Sequence, residues 1–262
     1  IDSARHIEIQ ILGDRHGDLV HFGERECTIQ RRNQKLIEVA PSPWLTDALR
    51  EKIATSALEL ARAASYDNLG TFEFLVDASG SPESVFFAFI EANPRLQVEH
   101  TVTEEVRSVD LVQAQIRVAA GARLAELGLD RPRPAQGYAI QARINLEKMN
   151  EAGDTTPTGG VISAFDIPSG PGVRVDAFGY SGYRTGAAFD SLIVMAEVKE
   201  AVPGEDSGEA AAERKATHVG DDPLLGREAI TAERDQRWRA VHACDGEAHV
   251  NEMLRDRLAH AA

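Results

Sequence analysis

Residues Gly70–Asn93 read GTFEFLVDASGSPESVFFAFIEAN, and the fold turns on this stretch. Thr71 to Val76 and Val85 to Glu91 are rich in aromatic and β-branched residues, and Asp77-Ala78-Ser79-Gly80-Ser81-Pro82 between them is turn chemistry. The pattern predicts a β-hairpin. If it turns symmetrically about Pro82, Glu73 lies opposite Glu91, Phe74 opposite Ile90 and Leu75 opposite Phe89. Directly opposed residues bring their Cβ atoms within roughly 4.5–5.5 Å, where like charges repel. Two carboxylates so placed share a proton, recruit a cationic side chain, or bind a divalent metal. Oxygen donors without His or Cys favour Mg2+ or Mn2+ over zinc. Asn93 offers an amide oxygen from the same side. Two solvated acids on a splayed hairpin, or a slipped register, are the alternatives.

Just downstream, Arg95, Gln97 and Glu99 alternate with Leu96 and Val98, so an extended chain puts the three polar side chains on one face. Arg offers a planar fork for carbonate or phosphate, Gln can donate to the same anion, and Glu can accept a proton. A solvated Arg95–Glu99 ion pair is the plain alternative. Upstream, His6 to Ile11 alternates strictly and predicts a strand with one polar face. Leu19 to Phe22 returns as its hairpin partner, and Cys27 to Gln30 is a further short strand before the basic stretch Arg31-Arg32-Asn33-Gln34-Lys35. After Pro41-Ser42-Pro43, Thr46 caps a helix to about Ala64, with an apolar stripe of Leu49, Ile53, Ala57, Leu60, Ala61 and Ala64. Ser108 to Ala120 reads as a second helix with Ser108 as its N-cap and Gly121 as its stop. Tyr138 to Asn145, Gly160 to Phe165, Val173 to Val175 and Ser191 to Val198 read as strands. From about Val202 the composition becomes that of a linker followed by a weakly periodic, Ala-, Glu- and Arg-rich tail, helical or disordered.

A net charge of −14 argues against a general nucleic-acid binder, yet leaves room for a local cationic pocket and a small anionic substrate. No apolar run reaches the length of about 18 residues that a membrane span needs. Cys27 and Cys244 form neither a metal spacing nor a disulfide framework, so reduced thiols in a cytoplasmic protein are expected. The opening Ile1-Asp2-Ser3, with neither Met nor an apolar signal region, reads as a cut end of something longer.

Five motifs in order resemble biotin carboxylase: Gln30-Arg31-Arg32-Asn33-Gln34-Lys35, Gly70 to Leu75, Glu91 to His100, Ala142-Arg143-Ile144-Asn145 and Phe189-Asp190-Ser191-Leu192. The likeness runs over roughly residues 1–195, and Glu26 to Lys35 is closest in wording to the acyl-CoA carboxylases. It implies an α+β fold, with an ATP-grasp C-terminal lobe over residues 1–125 and part of the biotin carboxylase C-terminal subdomain over 126–201. Residues 202–262 are then a divergent tail, unlike the last helix and strand region of the family. In that family bicarbonate attacks the γ-phosphate of ATP, and the resulting carboxyphosphate supplies carbon dioxide to biotin. By motif, Glu73, Glu91 and Asn93 would hold Mg2+ or Mn2+, while His6, Gln30, Asn33 and Leu75 would line the ATP site. Lys35, Arg95, Gln97 and the Val98 amide would orient bicarbonate, Glu99 would act as general base, and Arg143 would stabilise the biotin enolate. The resemblance also implies a biotin carrier domain or protein, a carboxyltransferase part in the parent enzyme, and a homodimer. Asn33 stands where many members have His, and no glycine-rich phosphate loop followed by Lys is visible. Weak nucleotide binding and poor turnover are therefore expected of the isolated chain. Another ATP-grasp ligase, or a non-catalytic dimerisation module, are the competing readings.

Overall fold

The computed structural model describes residues 3–79, 85–151, 154–186 and 191–200. The elements run β1 (Ala4–Gly13), β2 (Leu19–Arg31), β3 (Gln34–Ala40), α1 (Asp47–Ala63), β4 (Asn68–Asp77), β5 (Phe87–Asn93), α2 (His100–Arg107) and α3 (Leu111–Ala119). They continue through β6 (Tyr138–Asn145), β7 (Glu147–Met149), β8 (Thr155–Pro157), β9 (Gly160–Val161), β10 (Val173–Ala177), β11 (Arg184–Thr185) and β12 (Leu192–Glu200). This is the expected α+β class. The chain divides into two compact units, the breaks falling after Ala142 in β6 and before Glu197 in β12.

In the first unit the sheet order is β6-β3-β2-β1-β4-β5, and these neighbours pair antiparallel. The period-two alternation of β1 and β4 sorts their residues onto two chemically different faces. Ile7, Ile9, Ile11, Phe72, Phe74 and Val76 form one core with Leu49, Ile53, Ala57 and Ala61 of α1. The opposite face carries His6, Glu8, Gln10, Thr71 and Glu73. A second core joins Leu12, Val20, Phe22 and Leu69 to Leu111, Ala114 and Val118 of α3. In the second unit, Ile162, Ile193, Val194 and Ala196 make a separate core, with β10 beside β12 and the small pairs β7–β8 and β9–β11. No helix among the described residues is long and apolar enough to cross a membrane.

Thr46 is the N-cap of α1: its hydroxyl accepts from the Leu49 amide at 3.3 Å. Thr46→Ala is expected to cost about 1 kcal/mol in chemical denaturation, because one orphan helix donor loses its partner.

Four expectations are corrected. The stretches Leu19 to Phe22 and Cys27 to Gln30 belong to one strand, β2, and the basic stretch turns at Arg32 and Asn33, both at positive φ, into the unexpected β3. In the β4–β5 ladder Glu73 does pair with Glu91, but Phe74 pairs with Phe89 and Leu75 with Ala88. Ile90 is the extra residue of a bulge, and it shifts every pair beyond it by one. Ser108 is the left-handed C-cap of α2, and α3 begins later, capped by Asp110, whose carboxylate accepts from the Gln113 amide at 2.7 Å. The strand read from Gly160 to Phe165 shortens to Gly160–Val161. The reading of residues 202–262 lies outside the described residues.

Candidate active site

Strand register sets a row of charges across the sheet. Arg25 pairs with Glu8, Glu8 with Glu73, and Glu73 with Glu91, so three carboxylates stand abreast with one guanidinium at their end. Burial is graded along the row: Arg25 and Glu8 have no exposure, Glu73 is 3% exposed, and Glu91 faces solvent. Charges this deep persist only when paired and hydrogen-bonded. Arg25 donates to Glu8 Oε2 at 3.2 Å, Gln10 Oε1 at 2.7 Å, Thr71 Oγ1 at 3.1 Å, Gln97 Oε1 at 3.3 Å and Thr103 Oγ1 at 3.1 Å. Lys35 serves the next two acids: its Nζ donates to Glu8, donates to Glu99 Oε1 at 2.5 Å, and lies 3.6 Å from Glu73 Oε1.

Glu73 is the most heavily solvated by protein groups. His6 Nε2 lies 2.6 Å from its Oε2, and Gln97 Nε2 and Asn93 Nδ2 donate to its Oε1 at 2.9 and 2.7 Å. Burial pushes this carboxyl upward, but the His6 and Gln97 hydrogen bonds and the Lys35 charge outweigh it and hold the pKa at about 2. Glu8 shifts the other way. Burial raises it, the attraction of Arg25 and Lys35 opposes that, and Glu99 and Glu73 add repulsion. Burial would lower the Lys35 ammonium, yet Glu8 and Glu99 hold it well above the ordinary lysine range. Glu73 thus stands ionised toward the outer end of the row, which Arg25 and Lys35 anchor at its inner end.

Of the three fates open to facing carboxylates, the cation is realised through Lys35, with the His6 ring hydrogen-bonded to Glu73 beside it, and the donor set also fits a metal. Asn93 Nδ2 touches both Glu73 Oε1 and Glu91 Oε1, at 2.7 and 3.0 Å. The head groups therefore converge on one point, and turning the amide over places Oδ1 beside the two carboxylate oxygens. Three hard oxygens suit Mg2+ or Mn2+. Two other ligand-like groups, His6–Glu8–Glu73 and Glu8–Cys27–Glu99, lie within the same cluster. In the second, the Lys35 ammonium already stands against both carboxylates, and burial pushes the Cys27 thiol well up, away from the thiolate that a metal needs.

The remaining site residues fall in two groups. Gln30 Nε2 donates to His6 Nδ1 at 2.7 Å, and Leu75 pairs with His6 across β1–β4, so these three adjoin. Asn33 is exposed at the β2–β3 turn with φ 67°. Gln97 and Glu99 point inward, and Val98 O accepts from Gln141 Nε2 at 3.3 Å. Arg95 does not share their face. Pro94 cannot extend the ladder, the chain bends, and the exposed Arg95 donates to Leu96 O at 3.1 Å. The extended reading of Arg95 to Glu99 is therefore replaced by a bend followed by the start of α2. Arg143, half-buried on β6, belongs to the second unit. Sequence reasoning missed Glu8, Gln10 and Arg25. The first two were findable, since strict alternation places them on the face of His6.

The sequence and fold have counterparts in known proteins. The family described as carbamoyl-phosphate synthase L chain, ATP binding domain, matches residues 1–127, and the biotin carboxylase C-terminal domain matches residues 141–216. A biotin carboxylase of Nostoc sp. is 49% identical over 193 residues, covering 74% of this chain and 41% of that protein. Pyruvate carboxylase 1 of Caenorhabditis elegans is 48% identical over 196 residues, covering 74% of this chain and 16% of its own length. Among solved structures, the biotin carboxylase domain dimer of Hydrogenobacter thermophilus 2-oxoglutarate carboxylase, in complex with MgADP, ADP and bicarbonate, superposes with a TM-score of 0.69 at 40% identity. It covers 82% of this chain and 44% of that one. The chain thus spans less than half the length of these relatives. It belongs to the biotin carboxylase family of ATP-dependent ligases, carrying that family's ATP-binding and C-terminal domains.

Proposed function

We propose that this chain binds a divalent-metal nucleotide and bicarbonate for the ATP-dependent carboxylation of biotin. The observation that carries this reading is the row Arg25–Glu8–Glu73–Glu91, with Asn93 bridging its outer acids and Lys35 joining Glu8 to Glu99. Glu73, Glu91 and Asn93 would hold Mg2+ or Mn2+, which when bound neutralises charge on the phosphates. His6, Gln30, Asn33 and Leu75 would line the nucleotide. Lys35, Gln97 and the Val98 amide, with Arg95 turned inward, would orient bicarbonate. Glu99 would take the bicarbonate proton, so that the carbonate oxygen attacks the γ-phosphoryl group and carboxyphosphate and ADP form. Fixed cations near the reacting anions lower the barrier without reorganising during the step. Arg143 would offset negative charge on the biotin oxygen as its nitrogen is carboxylated.

The organisation that goes with this reading is an ATP-grasp lobe over residues 1–125 and a partial carboxylase subdomain over 126–201. Its partners would be a biotin carrier domain or protein, a carboxyltransferase part of the parent enzyme, and a second copy of the chain. Acyl-CoA is the acceptor suggested by the wording of Glu26 to Lys35. The C. elegans relative favours pyruvate as the second reading.

Bicarbonate-dependent ATP hydrolysis by the purified chain, with and without free biotin, tests the proposal. Slow hydrolysis that biotin stimulates is expected, and Glu99→Gln should abolish it, since losing a general base costs about 100- to 10,000-fold. Hydrolysis indifferent to biotin would point to another ATP-grasp ligase. Self-association without any Mn2+–ADP binding would point to a non-catalytic module.

A further inference from the structure

The amide of Val98 lies in the turn between Pro94 and α2, and among the described residues its N–H has no acceptor. A half-buried backbone donor left over in this way is open to a partner from outside the chain. Its usefulness to an anion depends on where it points. No side chain of the metal, nucleotide or proton-transfer groups sets that direction.

His100, buried at the first position of α2, does. Its Nδ1 lies 2.8 Å from the Gln97 carbonyl oxygen, and a carbonyl can only accept, so the ring proton sits on Nδ1. The His100 amide donates to the same oxygen at 3.2 Å. One residue thus engages both lone pairs of Gln97 O. The Gln97–Val98 peptide is planar and trans, so its N–H points opposite to its C=O. Holding Gln97 O against the His100 ring therefore turns the Val98 N–H to the side away from that ring. The next peptide is held as well: Val98 O accepts from Gln141 Nε2 at 3.3 Å, and the wholly buried Gln141 also donates to Thr101 Oγ1 at 2.9 Å. The Gln97 side chain is anchored in turn, its Oε1 accepting from Arg25 at 3.3 Å and its Nε2 donating to Glu73 at 2.9 Å. Val98 stands between two clamped carbonyls with its own donor unspent.

We propose that His100 is a positioning residue for the anion: its ring aims the Val98 N–H, and tight binding of an oxyanion there requires the Nδ1 donor. The inference rests on bicarbonate being that anion, as in the carboxylation reading. Gln97–Val98 is the one Gln–Val pair in the sequence, so a full chain carrying 13C-carbonyl glutamine and 15N valine gives a single carbonyl–amide correlation from the two groups concerned. In the free protein, His100→Phe keeps a ring of similar shape without the donor and should move the Gln97 carbonyl signal upfield. His100→Asn loses the ring but keeps an N–H where Nδ1 stood, and should restore the signal. Bicarbonate, titrated with MgADP present, should move the wild-type amide proton downfield and saturate. Affinity should fall by about tenfold or more in His100→Phe, the worth of one hydrogen bond to a charged group, and stay within about threefold of wild type in His100→Asn. A ring that merely fills space predicts the reverse order, with Phe tolerated and Asn damaging. That order, or equal affinity in all three proteins, overturns the role of His100 and leaves the bicarbonate site standing. A wild-type amide indifferent to bicarbonate at up to about 50 mM, above the millimolar range of weak ligands, overturns the bicarbonate seat and this inference together.

Discussion

Replacing Arg25 with Met is expected to destabilise the protein by about 3–5 kcal/mol, since it strands a buried carboxylate without its partner. Arg25 is wholly buried, and its NH1 and NH2 serve five oxygen acceptors on four different segments. Without it, Glu8 keeps Lys35 but faces Glu73 and Glu99 across a medium that screens poorly. Thr71, Thr103, Gln10 and Gln97 each lose a donor as well. Lys at this position will not rescue fully, because a single ammonium cannot span acceptors that the guanidinium fork reaches together. Urea unfolding of Arg25→Met, Glu8→Gln and the double variant separates the terms: the double variant should be clearly more stable than the sum of the single losses predicts. A loss below about 1 kcal/mol in Arg25→Met, within the range of an exposed ion pair, would refute the network as a structural element.

Glu73→Gln is expected to weaken Mn2+ binding in the presence of ADP by more than about 100-fold, since even the outer partners of metal ligands are worth 10- to 100-fold. Glu73 is the one acid of the outer pair that is buried, and four side chains hold its oxygens in place: His6, Lys35, Asn93 and Gln97. Glu91, exposed and bonded through Asn93, is a more mobile donor, and Glu91→Gln should lose less. Titration of Mn2+ followed by its paramagnetic resonance signal measures both. Equal, small losses in the two variants would remove the carboxylate pair as the metal seat. Glu73→Gln should also lower the unfolding midpoint, since the amide turns an N–H toward His6 Nε2 and gives up the Lys35 attraction, so binding is compared at temperatures where both proteins are folded.

The facing of Glu73 and Glu91 was legible because alternation and turn chemistry are local signals, each contained within a few residues. The register beyond them was not, because the bulge at Ile90, which sets Phe74 against Phe89 with ring centroids 5.7 Å apart, leaves no mark in the period. The helix α2 was hidden by its composition. Thr101, Val102, Thr103 and Val106 are β-branched and favour helix weakly, and their burial overrides that preference. Arg25 carried no local signal, since its acceptors lie on β1, β4, the Gln97 bend and α2. Non-local pairing of this kind is a property of the assembled sheet.

The amide of Gln30 has a consequence for which ions can enter. Its Nε2 donates both to the Cys27 carbonyl at 2.8 Å and to His6 Nδ1 at 2.7 Å, and the carbonyl fixes which end of the amide faces the ring. His6 Nδ1 must then accept, so the ring proton sits on Nε2 and is directed at Glu73. That nitrogen has no lone pair to offer, and soft, imidazole-seeking ions such as Zn2+ or Cu2+ find a proton where they require a ligand. The imidazole acts as a gatekeeper for ion identity by keeping the pocket's reachable donors all oxygen.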